Sequence, residues 1–235
     1  MEKEETKEIY STLEKVWPDH NRWYDHTRQT IIRFTENNLA PLLNDESLYL
    51  NAGSGGSKYN LPGKCYHVDI AENLIKALPN HYVASIEKLP FPNNTFDASI
   101  CVGSVINYCS AIESLFELIR TLKYGGYLIL EFERSNTAEL WLTKEYGKQV
   151  TIQEYEYLNH IHTLWLYAEQ YIIEILHKNH MCIDQYKRFH NLSALSNRIT
   201  HKEEMSGKFG KYDVLFAPIS KFMAHNVIIL CHKSR

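Results

Sequence analysis

Seven short, mainly apolar runs lie along the chain, each of the length of a buried β-strand. They fall at residues 48–50, 65–68, 81–84, 98–102, 127–132, 181–186 and 226–231. Between several of them, apolar residues recur at the three- and four-residue spacing of a helix, most clearly in residues 112–122 (IESLFELIRTL). Strands that alternate with helices in this way predict an α/β protein with a doubly wound parallel sheet.

The residues before the first strand are predicted to be helical. Residues 1–43 are expected to form an N-terminal helical cap of two helices, broken near Pro18. Between these helices, residues 17–26 combine aromatic and polar side chains. This segment either caps the edge of the sheet or folds over a ligand.

The residues after the fifth strand carry many aromatic side chains. Residues 134–178 are predicted to form a long helical segment, and its last part, residues 168–177, has the spacing of a helix packed on the sheet. Residues 191–222 are polar and are predicted to form an irregular insertion. We expect all of residues 1–235 to form a single domain.

Composition and charge exclude several classes of protein. The 235 residues are 44% hydrophobic and 23% charged, as in a soluble protein with one core, and the net charge of −3 gives no basic surface for nucleic acid. No apolar run approaches the roughly 18–20 residues of a membrane span, and the charged start MEKEETKEIY is unlike a secretory signal. We therefore expect a cytoplasmic protein. The spacing of the Cys and His residues indicates no metal site.

A glycine-rich turn follows the first strand. Residues 51–56 (NAGSGG) form this turn, and the second strand ends on Asp69. Glycine lets the backbone turn tightly and approach a ligand closely, and a terminal acid can accept hydrogen bonds from the two hydroxyls of a ribose. In a doubly wound sheet the loops after the first four strands meet at one crevice. The pattern therefore predicts an adenosine-binding site there.

The turn differs from the two best-known phosphate-binding loops. A dinucleotide fingerprint GxGxxG would need a glycine at position 58, where the chain has Lys58. The loop GxxxxGK[ST] is absent as well. A nucleoside without a pyrophosphate is therefore favoured as the ligand.

From about residue 48 to residue 132, the chain resembles the class I S-adenosylmethionine-dependent methyltransferases of the small-molecule type. The resemblance is carried by the turn at residues 51–57 (NAGSGGS), by Asp69, by residues 87–97 (EKLPFPNNTFD) and by residues 122–128 (LKYGGYL). It implies a Rossmann-like sheet of seven strands with the last strand antiparallel, and a cofactor-binding core over residues 44–133. It also implies S-adenosylmethionine as the cofactor and S-adenosylhomocysteine as the product.

The same resemblance implies a set of cofactor-binding residues. They are Asn51, Ala52, Gly53, Ser54, Gly55, Asp69, Ile70, Ser85, Ile86, Glu87, Val102 and Gly103. In this family the first turn would present its backbone to the amino acid part of the cofactor. Asp69 would hold the ribose hydroxyls, Ile70 would stack on the adenine, and residues 102–103 would line the methionine end.

Three positions depart from the family pattern. Asn51 and Ser85 stand where the family often has an acid, and Ser57 replaces a common third glycine. Neutral acceptors bind cationic donors more weakly than carboxylates do. A catalytically degenerate, methyltransferase-like scaffold therefore stays open as an alternative. An NAD-dependent oxidoreductase on the same sheet is the other alternative, which Lys58 and the Leu-Pro-Phe block disfavour.

Methyl transfer from a sulfonium depends mainly on placing the acceptor atom close to the methyl carbon, so the sequence marks no single catalytic residue. Five candidates lie near the expected methyl end, and each can equally be pocket wall or surface: Asn107, Tyr108, Tyr24, His26 and Glu133. Residues 137–171 and 191–222 are our hypothesis for a lid over the acceptor. The signature Asn/Asp-Pro-Pro-Tyr/Phe of nucleic-acid methylation is absent, so we expect a small-molecule acceptor with an O, N or C nucleophile.

Overall fold

The computed structural model describes residues 3–157 and 160–234 and contains a seven-stranded sheet and a separate two-stranded hairpin. The nine strands are β1 (Leu48–Ala52), β2 (Lys64–Asp69), β3 (His81–Val83), β4 (Phe96–Cys101), β5 (Leu122–Glu133), β6 (Val150–Tyr157), β7 (His160–Tyr167), β8 (Met181–Phe189) and β9 (Asn226–Lys233). The eight α-helices are α1 (Lys3–Ser11), α2 (Arg22–Leu39), α3 (Glu72–Ile75), α4 (Ala111–Thr121), α5 (Glu169–Lys178), α6 (Asn191–Thr200), α7 (Glu203–Gly207) and α8 (Ser220–Met223).

The main sheet has the strand order β3-β2-β1-β4-β5-β9-β8. Strands β1 to β5 are parallel, and β9 pairs antiparallel with both β5 and β8. The order changes direction at β1, so the crevice at the carboxyl ends of β1 and β4 is the expected ligand site of such a sheet. The predicted seven-stranded α/β sheet with an antiparallel last strand is confirmed.

Helices cover both faces of the sheet, because each face of its central strands is apolar. On one face Leu115 and Leu118 of α4 and Ile172 of α5 join the core. On the other face Ile31 and Phe34 of α2 pack against the sheet. Residues of β9 between the two layers are buried throughout their apolar run. This explains why near-continuous apolar runs identified the strands.

The prediction of a helical segment over residues 134–178 is wrong for most of its length. The structure has a 3₁₀ turn at Ala138–Leu140 and then the antiparallel hairpin β6–β7; only Glu169–Lys178 is an α-helix. The hairpin pairs Ile152 with Trp165 and Tyr155 with His162. Its strands alternate between side chains on two faces, so the aromatic residues follow a period of two. The helical spacing assigned to these aromatic residues was therefore wrong.

The prediction of an irregular insertion at residues 191–222 is also wrong, because this segment is largely helical. It contains α6, α7, a 3₁₀ helix at Gly210–Ile219 and α8. The buried carboxylate of Asp213 accepts hydrogen bonds from the backbone N–H groups of His190 and Asn191, each at 2.8 Å, at the start of α6. A polar residue of this segment, Asp213, thus caps the start of α6.

The insertion packs directly on α2. Asp213 Oδ2 lies 2.8 Å from His26 Nε2. A Cβ atom on Gly207 would lie 2.3 Å from the backbone N of Trp23, so only glycine permits this approach of α7 to α2. No helix within the described ranges is long and apolar enough to cross a membrane.

Candidate functional site

A pocket opens at the carboxyl ends of the central strands. It extends from the ends of β2 and β3 on one side, past β1 and β4, to the ends of β5 and β9 on the other. Of the twelve residues predicted to surround a cofactor, all except Ala52 line this pocket. Ala52 is fully buried at the end of β1.

The turn after β1 is closely packed. Gly53 has a φ of +66°, and a Cβ atom there would lie 2.5 Å from both methyl carbons of Val105. The Asn51 side chain spans the turn, because its Nδ2 donates to the backbone oxygen of Ser57 at 2.9 Å and to Ser54 Oγ at 3.2 Å. The turn therefore keeps its backbone close to the pocket.

Asp69 ends β2 with its carboxylate fixed between two backbone segments. Its Oδ2 accepts from the N–H of Gly55 at 2.7 Å, and its Oδ1 accepts from the N–H of Ala71 at 2.9 Å. The side chain is buried, and burial raises its pKa although both N–H donors lower it. Asp69 therefore links the glycine turn to the end of β2, and both form walls of the pocket.

The loop after β3 contributes Ser85 and Glu87. Ser85 Oγ donates to Glu87 Oε2 at 3.1 Å, and the backbone N–H of Ser110 donates to Glu87 Oε1 at 2.9 Å. Ile86 between them is buried and supplies an apolar wall. A carboxylate therefore stands next to the serine at this end of the pocket.

The loop after β4 is held in place by Glu131, a fully buried acid near the end of β5. Glu131 Oε2 accepts from the N–H groups of Gly103 and Ser104, both at 2.8 Å, and Oε1 accepts from Asn226 Nδ2 at 2.7 Å. Ser104 has a φ of +59°, which is unusual for a residue with a side chain. Burial raises the pKa of Glu131 to about 7. Our sequence interpretation missed Glu131, although an acid within the run YLILEF was a signal.

The N-terminal segment covers the mouth of the pocket. Val16, Trp17, Trp23 and Tyr24 line it, so part of the segment 17–26 faces the crevice. Trp17 Nε1 lies 3.4 Å from Ser57 Oγ. The ring of Tyr10 in α1 meets the ring of Tyr108 edge-to-face at 5.8 Å. The N-terminal residues therefore contribute aromatic side chains to the wall of the pocket.

A row of titratable groups occupies the far end of the pocket, beside β5 and β9. Glu133 Oε1 accepts from Ser104 Oγ at 2.8 Å, and Glu133 Oε2 lies 3.2 Å from Nε2 of the buried His225. The other imidazole nitrogen, Nδ1, bonds to the carboxylate of Glu139. Burial lowers the pKa of His225, but Glu139 and Glu133 together raise it well above its ordinary value. The two carboxylates on either side of His225 therefore favour its protonated, cationic form.

Glu203 of α7 reaches the same end of the pocket from the insertion. Tyr24 donates its hydroxyl to Glu203 Oε2 at 2.9 Å. Burial raises the pKa of Glu203 to about 7. Tyr155 of the hairpin completes this wall, with its ring edge-to-face on His225 at 6.5 Å. We call the space bounded by Tyr24, Glu133, Tyr155, Glu203 and His225 the distal chamber.

The five candidate catalytic residues divide into two groups. Tyr24, Tyr108 and Glu133 line the pocket. Asn107 is fully buried: its Nδ2 donates to the backbone oxygens of Glu133 and Trp165, so it joins strands instead of facing a ligand. His26 binds Asp213 and does not line the pocket.

Three further residues of the distal chamber were missed. Tyr155 fell in a segment assigned to the wrong period, and His225 precedes the last strand without a motif around it. Glu203 lies in the insertion, where nothing in the sequence indicated that it faces the pocket. These residues come together only through the tertiary fold.

Sheet order, helices on both faces and a pocket at the strand ends define a Rossmann-like α/β protein of the class I methyltransferase type. Residues 49–130, from β1 into β5, match the family model of the methyltransferase domain. Fold and family match together support a class I S-adenosylmethionine-dependent methyltransferase.

Among curated relatives, the ubiquinone/menaquinone biosynthesis C-methyltransferase UbiE of Coxiella burnetii is 31% identical over 97 residues, which are 37% of this chain and 39% of the relative. For this and the first two curated relatives, the match spans 39 to 57% of the relative's own length. The similarity in sequence is thus concentrated in the core.

Solved structures share the fold at low identity. A protein from Pyrococcus horikoshii superposes with a TM-score of 0.60 at 16% identity, covering 97% of this chain and 99% of its own. The 1,6-didemethyltoxoflavin-N1-methyltransferase of Burkholderia thailandensis superposes with a TM-score of 0.57 at 13% identity, covering 99% and 87%. The latter structure contains S-adenosylhomocysteine, which is consistent with S-adenosylmethionine as the cofactor of this fold.

Proposed function

We propose that this protein transfers a methyl group from S-adenosylmethionine to a small molecule and releases S-adenosylhomocysteine. The observation that carries the proposal is the continuity of the pocket. Its β2–β3 side offers the Asp69 carboxylate and the glycine turn, and its β5–β9 side opens into the distal chamber. One space can therefore hold a nucleoside and an acceptor end to end.

The residues on the β2–β3 side fit an adenosine cofactor. Asp69 would hold the ribose hydroxyls, Ile70 and Ile86 would bound the adenine, and the backbone at Gly53 and Gly55 would meet the amino acid part. Val102 and Gly103 would line the methionine end, between β1 and β5. Apolar walls with a few fixed polar groups are typical of such sites.

Two of the three departures from the family pattern, Asn51 and Ser85, are compatible with this assignment. The Asn51 amide nitrogen is committed to Ser54 and Ser57, so its oxygen is the atom that can accept from an ammonium group. Beside Ser85, the Glu87 carboxylate supplies the negative charge that serine lacks. The acceptors needed for the cofactor are therefore present.

When bound, the sulfonium cofactor supplies an electrophilic methyl group that a nucleophile can attack in line. The chain's own part would be to position the acceptor and to exclude water, to which Trp17, Trp23 and the hairpin would contribute as walls of the pocket. UbiE and the toxoflavin enzyme are named for small-molecule chemistry, and the acidic chamber and net charge of −3 disfavour nucleic acid as the acceptor.

Calorimetric titration tests this function. We expect S-adenosylmethionine and S-adenosylhomocysteine to bind with micromolar affinity and NAD to bind at least 100-fold more weakly. Asp69→Asn should weaken S-adenosylhomocysteine binding by about 10- to 100-fold, because a hydrogen bond to a charged group contributes about 1.5–3 kcal/mol.

The matched control is Asp45→Asn, which changes an exposed aspartate outside the pocket and should leave the affinity unchanged. Circular dichroism shows whether each variant is folded. Preferential binding of NAD would indicate an oxidoreductase, and a folded protein that binds none of the three would indicate a scaffold. Either result contradicts the proposed function.

A further inference from the structure

We propose that the acceptor carries a basic amino group, which the distal chamber recognises through carboxylates and aromatic rings. The proposal rests on the function proposed above and names the class of substrate for the same site. It comes from the charges and ring faces of the chamber.

More acidic than basic side chains line the chamber. Glu133 and Glu203 both line it, and among the described residues around the pocket there is no Lys or Arg. Its one cation, His225, is already placed between Glu133 and Glu139. A phosphate or carboxylate entering this space would meet two acids, whereas an ammonium group would meet complementary charge.

Among the described contacts, the Glu203 carboxylate accepts a hydrogen bond at one of its two oxygens. Tyr24 donates to its Oε2 at 2.9 Å. Glu139 and Glu133 lie close enough to add to the effect of burial in raising its pKa, against the lowering effect of His225. A bound ammonium group would stabilise the ionised carboxylate of the half-buried Glu203, because a nearby opposite charge favours the ionised form.

Aromatic residues line the same pocket. Tyr24, Tyr108 and Tyr155 contribute to it from α2, the 3₁₀ turn after β4 and the hairpin. Ring faces attract cations, and a set of rings with nearby carboxylates is the arrangement that proteins use for ammonium groups. The shape and the charge of the chamber therefore favour the same ligand.

Binding of three probes of similar shape tests the proposal. Tyramine, tyrosol and 4-hydroxyphenylacetate carry an amino, a hydroxyl and a carboxylate group on the same phenol. They are titrated calorimetrically into the protein saturated with S-adenosylhomocysteine. We expect tyramine to bind at least tenfold more tightly than tyrosol, and 4-hydroxyphenylacetate to bind most weakly.

Two neighbouring residues provide the variant and its control. Glu203→Gln should reduce the preference for tyramine over tyrosol at least fivefold and leave the affinity for S-adenosylhomocysteine within twofold. Glu204→Gln changes an exposed glutamate outside the pocket and should leave both values unchanged.

The outcomes separate this proposal from the proposed function. Failure to bind S-adenosylhomocysteine contradicts the methyltransferase assignment and, with it, the amine. If the cofactor product binds, three results overturn the amine proposal alone: equal affinity for the three probes, tighter binding of the carboxylate, or no binding of tyramine at 10 mM. If Glu203→Gln and Glu204→Gln changed the preference for tyramine equally, Glu203 would not be the group that binds the amine.

Discussion

Replacing His225 by alanine is expected to lower the free energy of unfolding by about 3–5 kcal/mol, the usual cost of breaking a buried ion pair. The imidazole is almost fully buried and bonds to Glu139 and Glu133. Its removal leaves two carboxylates beside each other without their cation. Urea denaturation followed by circular dichroism measures the change.

The control for this variant is His232→Ala. His232 forms a similar pair, with Nδ1 at 2.9 Å from Asp184, but both side chains are about one-third exposed. Exposed pairs contribute about 0–1 kcal/mol, so this variant should be nearly neutral. Equal effects of the two substitutions would contradict the account of His225.

The effect of His225 should depend on pH in one direction. The pKa of His225 is raised well above its ordinary value by Glu139 and Glu133 despite burial. A raised pKa means that the folded state holds the proton more tightly, so the stabilisation is fully present below about pH 6.5 and is lost as the pH rises through the folded value. The difference between wild type and His225→Ala should therefore shrink at alkaline pH.

Glu131→Ala is the second substitution with a large expected effect. It removes the acceptor of the Gly103 and Ser104 N–H groups and of Asn226 Nδ2. Buried donors without partners cost about 1–3 kcal/mol each, so the three donors together should cost at least about 3 kcal/mol. Cofactor affinity should fall as well, because the loop at Gly103 lines the pocket.

Glu131→Gln is the matched variant. Gln keeps one oxygen for the loop, and Asn226 can turn its amide to accept from the new NH₂ group, so the loss should stay below about 1.5 kcal/mol. Similar losses in the Ala and Gln variants would show that charge, and not the acceptor geometry, holds the loop.

The pH dependence of Glu131→Gln gives an independent check. Burial raises the folded-state pKa of Glu131 to about 7, so between about pH 4.5 and 7 the folded protein binds more protons than the unfolded chain. Wild-type stability should therefore fall as the pH rises through this window. The stability of the Gln variant should fall less steeply with pH. Part of the remaining fall comes from Glu203, whose pKa is also raised to about 7.

The sheet could be predicted from the sequence because its strands are buried on both faces, which makes runs such as NVIILC in β9 almost continuously apolar. The hairpin β6–β7 could not, because Tyr155 and Trp165 were assigned the period of a helix. The helices of residues 191–222 depend on tertiary contacts, such as the cap that Asp213 provides.

The two sides of the pocket also differ in how far the sequence predicts them. The β2–β3 side is formed by residues directly after strands, such as Gly53 and Asp69, so local motifs identify them. The distal chamber brings together Tyr24, Tyr155 and Glu203 from three segments far apart in the chain. No local pattern encodes that meeting, and only the packing of α2, the hairpin and α7 produces it.

A crystal structure of the complex with S-adenosylhomocysteine would show directly whether the pocket holds the cofactor. We predict the ribose hydroxyls on the Asp69 carboxylate, the adenine between Ile70 and Ile86, and the sulfur directed past Gly103 toward the distal chamber. Density for the nucleoside elsewhere, or a sulfur directed away from Glu133 and Glu203, would contradict the account.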